Sequence, residues 1–206
     1  MKVLLINGSP NANGNTATAL KEMEKVFLEE GVEVVNVHVG NKAIRGCIGC
    51  RKCFQLGKCV FDDPVNEVAS ILHQCDGIVI GSPVYYASAN ATLMAFVQRL
   101  FYSTFNVNKT MMVGASVAAA RRGGLSSTYD EMNKFFGISG MPIASGQYWN
   151  SVHGAAPGQA AEDAEGMQGM RTLARNMTFL MRSIALGKEK YGLPEKEKTI
   201  FTNFIR

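Results

Sequence analysis

Lys2-Val3-Leu4-Leu5-Ile6-Asn7-Gly8-Ser9-Pro10-Asn11-Ala12-Asn13-Gly14-Asn15-Thr16 opens the chain and decides its architecture. Four consecutive aliphatic side chains cannot alternate between core and water. Lys2–Asn7 therefore reads as a strand buried on both faces, the pattern of a parallel sheet. Gly8-Ser9-Pro10 ends that strand. Between Thr16 and Glu30, Ala17, Leu20, Met23 and Phe27 recur at helical spacing, and Gly31 stops the helix. The loop between them sits at a strand's carboxyl end and a helix N-terminus, where free amides and the helix dipole attract an anion.

The same alternation runs down the chain. Val32–Val39, Gly77–Gly81, Thr110–Ala118 and Met141–Ser145 read as further strands. Between them, helices are predicted from Pro64 to about Gln74, over Asn90–Tyr102 and over Gly124–Phe136. A last helix follows from about Gly158 to Leu186, and the charged tail from Gly187 reads as peripheral. Five strand–helix alternations predict an α/β fold, a doubly wound five-stranded parallel sheet with right-handed crossovers. Ligands in such sheets bind beyond the carboxyl ends of the strands, where strand order reverses. The loops Gly8–Asn15, Ser82–Ser88, Ala118–Gly124 and Gln147–Gly154 all fall at that edge. A chain of 206 residues fits one domain, taken as 1–206.

Composition narrows the partners. The net charge of +4 is mild and its basic residues are scattered, so no nucleic acid is expected. No apolar run reaches the ~18 residues of a membrane helix. The apolar part of the N-terminus is too short for a signal peptide and leads directly into the anion loop. A cytoplasmic protein is expected. Four of its five cysteines crowd one loop. In a reducing compartment, that favours metal or redox roles over structural disulfides.

Ser9, Asn11, Asn15 and Thr16 add side-chain donors to the first loop. It lacks the G-K-[ST] ending of a triphosphate loop and is not G-x-G-x-x-G. Without a lysine, it suits a monophosphate held by neutral donors. An ordinary βα turn capped by Asn15 or Thr16 is the alternative. The second feature is Cys47, Cys50, Cys53 and Cys59, spaced C-x2-C-x2-C-x5-C within a loop at about 45–63. Gly46, Gly49 and Gly57 allow tight bends, and Arg45, Arg51, Lys52 and Lys58 offset thiolate charge. Such spacing meets the needs of an iron–sulfur cluster or of zinc. Cys75, before a strand, reads as a small core residue.

Four segments carry a family resemblance. Gly8-Ser9-Pro10 with Gly14-Asn15-Thr16 resembles the first motif of the flavodoxin-like NAD(P)H-dependent FMN reductases. Ser82-Pro83-Val84-Tyr85-Tyr86-Ala87-Ser88 resembles their second motif. Arg121-Arg122-Gly123-Gly124 looks like a third, and Tyr148-Trp149-Asn150 with His153-Gly154 recurs in the same relatives. The resemblance covers nearly the whole chain in register and implies a flavodoxin-like sheet of order 2-1-3-4-5.

By that resemblance, Ser9, Asn11, Asn15 and Thr16, with Ala17 through its amide, hold the phosphate of FMN. Pro83, Val84, Tyr85, Tyr86 and Ser88 lie along the flavin ring. Packing of Tyr85 and Tyr86 against the next helix is the alternative. Arg121, Arg122 and Gly123 approach the flavin or a nicotinamide phosphate, or else form a solvated turn. Trp149 and His153 wall the site, or His153 is structural. The cysteine loop resembles that of the iron–sulfur flavoproteins, which implies Cys47, Cys50, Cys53 and Cys59 as ligands of a four-iron four-sulfur cluster. A cluster-free loop that shields the flavin or uses reactive thiols stays open.

The implied activity is an FMN-dependent oxidoreductase passing electrons from NAD(P)H to a small-molecule or protein acceptor. The alternatives are an iron–sulfur flavoprotein fed by ferredoxin and a non-catalytic flavin-binding redox sensor. No side chain is expected to act as a catalytic nucleophile or base, because the cofactor carries the chemistry. The resemblance also implies a homodimer or higher homo-oligomer whose neighbour closes over the flavin.

Overall fold

A computed structural model describes residues 1–202 and Phe204. The elements in chain order are β1 (Lys2–Asn7), α1 (Asn15–Glu29), β2 (Glu33–His38), α2 (Cys53–Leu56), α3 (Pro64–Ile71) and β3 (Gly77–Tyr85). They continue with β4 (Ser88–Ala89), α4 (Ala91–Ser103), β5 (Val113–Ala120), α5 (Leu125–Ile138), β6 (Ser151–His153) and α6 (Ala164–Tyr191). Five strands pair in parallel in the order β2-β1-β3-β5-β6, and β4 folds back antiparallel on β3. With the small β4 hairpin set aside, this is the predicted 2-1-3-4-5 order.

The aliphatic run of β1 explains why the sheet is covered on both sides. Val3 and Leu5 enter one core with Leu20, Met23 and Phe27 of α1 and Met170, Leu173 and Met177 of α6. Leu4 and Ile6 enter the other, with Val65 and Val68 of α3, Phe96 and Leu100 of α4, and Phe136 of α5. Alternate side chains thus leave the strand in opposite directions into two apolar layers. Neither face tolerates a polar substitute.

Several expected boundaries are corrected. Met141–Ser145 is not a strand. It contributes one isolated bridge, Gly114 to Ile143, because Pro142 has no N–H for a ladder. The edge position belongs to Ser151–His153, which pairs with Ala118–Ala120. The strand expected over Thr110–Ala118 is shifted to Val113–Ala120, since Met111 takes a left-handed φ of 67° that interrupts extended chain. β3 runs past Ser82-Pro83 to Tyr85, where the hairpin partner Ser88–Ala89 satisfies it. The last helix starts at Ala164, where Asp163 accepts from the Gly166 amide. It ends at Tyr191, beyond the expected Leu186.

Candidate functional site

The first loop folds on its own side chains. Asn7 Oδ1 accepts from the Ser9 amide at 2.9 Å, Ser9 Oγ from the Asn11 amide at 3.2 Å, and Asn11 Oδ1 from the Asn13 amide at 3.0 Å. Two further contacts pin it from outside. The Gly8 amide donates to the Gly81 carbonyl at 2.8 Å, and the His38 ring lies 2.7 Å from the Ser9 carbonyl. The loop's turns are therefore held by contacts within the chain.

Its helix end is left open. Gly14 occupies the N-cap of α1 and no side chain caps the helix. The expected alternative, capping by Asn15 or Thr16, does not occur. Asn15 Oδ1 instead accepts from the Ala160 amide at 2.9 Å, which leaves its Nδ2 to donate. Thr16 is buried, and its Oγ1 has no hydrogen-bond partner among the described residues. An uncapped N-terminus beside an unpartnered buried hydroxyl offers hydrogen-bond donors that nothing in the described residues uses.

The other three loops gather at the same edge. A Cβ on Gly154 would stand 2.8 Å from Asn15 Nδ2, so the loop after β6 abuts the first loop. A Cβ on Gly124 would meet Val84 and Ala87 at 2.9 Å, so the loop after β5 abuts the β3–β4 hairpin. Ser127 Oγ donates to the Ala87 carbonyl at 2.7 Å and ties the same pair.

The hairpin turns through Tyr86 and Ala87, both in left-handed conformation, at φ 51° and 60°. That turn throws the Tyr86 side chain fully into solvent and leaves Tyr85 about half exposed. The Tyr86 ring therefore packs on no helix. Pro83 and Val84 are half-buried. The Ser88 hydroxyl is directed elsewhere, donating to Glu131 Oε2 at 2.7 Å. Arg121, Arg122 and Gly123 are exposed, and neither arginine makes an ion pair among the described residues. Tyr148 and Trp149 stand exposed with ring centroids 4.9 Å apart. His153 is held beside Asp163, with its amide at 2.7 Å and Nδ1 at 3.6 Å from Oδ2. Its anchoring is structural.

Cys47, Cys50, Cys53 and Cys59 line one concavity, together with Phe61, Arg99 and Tyr102. Cys47 and Cys50 are exposed, Cys53 is buried at the start of α2, and Cys59 is half-buried. Gly49 and Gly57 turn the loop in left-handed conformation, at φ 65° and 67°. Among the described residues, no three His, Cys, Asp or Glu side chains stand close enough to hold a metal ion. The sulfurs thus share a concavity without converging on one point.

What anchors the loop was not read from the sequence. Asn66 of α3 accepts from the Cys59 amide at 2.9 Å and donates to the carbonyls of Cys59 and Phe61 at 3.0 and 2.9 Å. Arg99 of α4 donates to Cys59 Sγ and to Asp63. Burial pulls the Arg99 pKa down, but the bonds to Asp63 and Cys59 outweigh it and hold the pKa above the ordinary arginine range. One signal was available: Arg99 stands on the apolar stripe of a helix whose other inward residues are Leu93, Phe96, Val97 and Leu100. Asn90, which caps the same helix by accepting from the Leu93 amide, donates its own amide to Ser82 Oγ at 2.9 Å. From there Arg99 lies nine residues along α4, about 14 Å at 1.5 Å per residue.

Comparison with known proteins follows the same lines. The family described as NADPH-dependent FMN reductase matches residues 1–156. The chain is 32% identical over 191 residues to an iron–sulfur flavoprotein of Methanocaldococcus jannaschii, covering 89% of this chain and 99% of that one. It is 27% identical over 193 residues to an iron–sulfur flavoprotein of Methanosarcina thermophila, covering 92% and 100%. Among solved structures it resembles RosB with a bound 8-demethyl-8-formylriboflavin-5'-phosphate, at TM-score 0.69 and 13% identity, covering 100% of this chain and 94% of that one. It also resembles an archaeal flavodoxin, at TM-score 0.59 and 12% identity, covering 88% and 99%. At such identities the two structures bear on the fold alone, which is flavodoxin-like.

Proposed function

This chain belongs to the NADPH-dependent FMN reductase family, and from that premise we propose that it is an FMN-dependent oxidoreductase drawing electrons from NAD(P)H. The observation that carries the FMN reading is Thr16: a buried hydroxyl without a partner, beside an uncapped helix N-terminus. The amides of Asn15, Thr16 and Ala17 offer donors to a phosphate, with Thr16 Oγ1 and Asn15 Nδ2 beside them. Ser9 and Asn11 shape the loop through its internal turns. When bound, FMN supplies hydride and single-electron chemistry; the chain binds it, orients it and limits water.

Pro83, Val84 and the two tyrosines supply the wall along the ring, and Gly123 with Gly124 lets the third loop close on that wall. Ser88 serves this wall indirectly, since its hydroxyl and the Ala89 amide fix the hairpin to Glu131. Exposed Arg121 and Arg122 are the residues this reading assigns to the nicotinamide phosphate. Exposed Tyr86, Tyr148 and Trp149 favour closure by a second copy of the chain. We treat all 206 residues as one flavin-binding domain, and thiols kept reduced in such a loop favour the cytoplasm.

The reading extends to a four-iron four-sulfur cluster on Cys47, Cys50, Cys53 and Cys59. Four soft donors from one short segment facing one concavity fit that group. Arg51 lines the same concavity, and Arg45, Lys52 and Lys58 belong to the same loop; this basic surround favours a second reading in which a ferredoxin-type carrier delivers the electrons.

Anaerobic rapid mixing with NADPH tests the proposal. Fast bleaching of the flavin band is the expected result. Bleaching only by reduced ferredoxin transfers the assignment to the carrier reading. No bleaching by either donor overturns both and leaves a flavin-binding module.

A further inference from the structure

We propose that Arg99 and Asp63 act as a paired positioning element that sets the reduction potential of the centre held by the cysteine loop. This rests on the cluster reading and deepens it, since both residues lie outside the four cysteines. Arg99 is 1% exposed. Its guanidinium has five N–H donors, and each has a partner. Nε and Nη2 donate to Cys59 Sγ at 3.3 and 3.1 Å. Nη1 and Nη2 donate to the Asp63 carboxylate at 2.5 and 3.1 Å. Nη1 also donates to the Arg45 carbonyl at 3.1 Å. The Phe61 ring covers the guanidinium, with its centroid 4.9 Å from Cζ.

This arrangement holds a fixed cation and two N–H donors against one sulfur. One-electron reduction of the centre adds one negative charge and breaks no bond to the chain. A neighbouring cation and hydrogen bonds to sulfur stabilise that added charge, so they raise the potential. Asp63 carries the opposite charge across the same guanidinium, so it lowers the potential, less strongly for its greater distance from the sulfur. Arg99 is buried and Asp63 half-buried, so the guanidinium's effect is the less screened of the two.

The two residues therefore push in opposite directions, and this separates tuning from mere support of the loop. Full-length protein is loaded anaerobically with iron and sulfide, and iron, sulfide and FMN are counted per chain. A potentiometric titration with dithionite, followed by electron paramagnetic resonance, then gives the midpoint of the centre. Arg99→Gln is expected to shift it to more negative values, Asp63→Asn to less negative values, and Arg99→Lys to fall between Arg99→Gln and wild type. Asn at position 63 keeps an acceptor for the Val65 amide that caps α3. Asp63→Asn and Arg99→Lys thus carry the test even if Arg99→Gln does not fold. Iron-replete variants with wild-type midpoints, or midpoints that all move one way, overturn the inference. Wild-type protein without stoichiometric iron overturns the cluster reading and this inference with it.

Discussion

At Thr16 the folded chain encloses a hydroxyl that nothing among the described residues satisfies. Thr16→Val removes that group at nearly constant shape, so the flavin-free protein should melt at the same temperature or higher. The same change should weaken FMN by about 1 kcal/mol, read by flavin fluorescence titration. Equal affinity would remove Thr16 from the phosphate site. Asn15→Asp places a carboxylate against the phosphate. At an effective dielectric of about 20 and ~4 Å, the repulsion is several kcal/mol, and dialysed protein should lose its flavin. Cys75 gives a contrasting prediction. Burial pushes its thiol up to about 11, so little thiolate exists near neutral pH. In iron-free protein, iodoacetamide at pH 8 should label exposed Cys47 and Cys50 well before Cys75, as peptide mass spectrometry will show.

Between elements, Glu22 of α1 ties to Arg171 of α6 at 2.6 Å, where two helices cover one face of the sheet. The Arg171 hydrogen bond, helped by Lys25 and opposed by partial burial, holds the Glu22 pKa below the ordinary 4.5. A lowered carboxylate pKa contributes stability that is present above 4.5 and lost as pH falls through the folded value. Arg171 is more than a third exposed, so screening limits the effect. Glu22→Gln should cost under about 1 kcal/mol at pH 7 and nearly nothing at pH 3, by urea unfolding. The β3–β4 hairpin behaves differently. Tyr86 is fully exposed and touches no core. Tyr86→Ala should leave the melting temperature unchanged, yet weaken FMN by about 1 kcal/mol if the ring covers the flavin. Unchanged affinity in both Tyr85→Ala and Tyr86→Ala would move the flavin away from this hairpin.

For the whole molecule, some of the exposed aromatic side chains stand where the loops meet at the carboxyl edge of the sheet. Tyr86, Tyr148 and Trp149 all lie there. Sedimentation should find a dimer, and Trp149→Glu should shift it toward monomer and loosen FMN together. Loss of the dimer with FMN affinity intact would separate assembly from the cofactor site. Among the described residues, no helix is long and apolar enough to cross a membrane.

The sheet and its ligand edge were legible because they rest on local rules. Val3–Ile6 fits a strand buried on both faces, and the turn residues after Gly8 fit a junction to the helix that begins at Asn15. Family membership was legible in four short motifs for the same reason: each is a contiguous turn whose chemistry lies within its own residues. The edge strand was not legible. Met141–Ser145 and Ser151–His153 are both short and partly apolar, and only pairing with Ala118–Ala120 chose between them. Nor did the sequence reveal that Asn15 would bond Ala160, or that Arg99 would reach Asp63 and Cys59. Those contacts span 145, 36 and 40 residues. Patterns of apolar spacing decide which face of an element is buried, but they carry no record of which polar group meets which across the fold. That was decided by packing, once two helices and a loop closed around the same small volume.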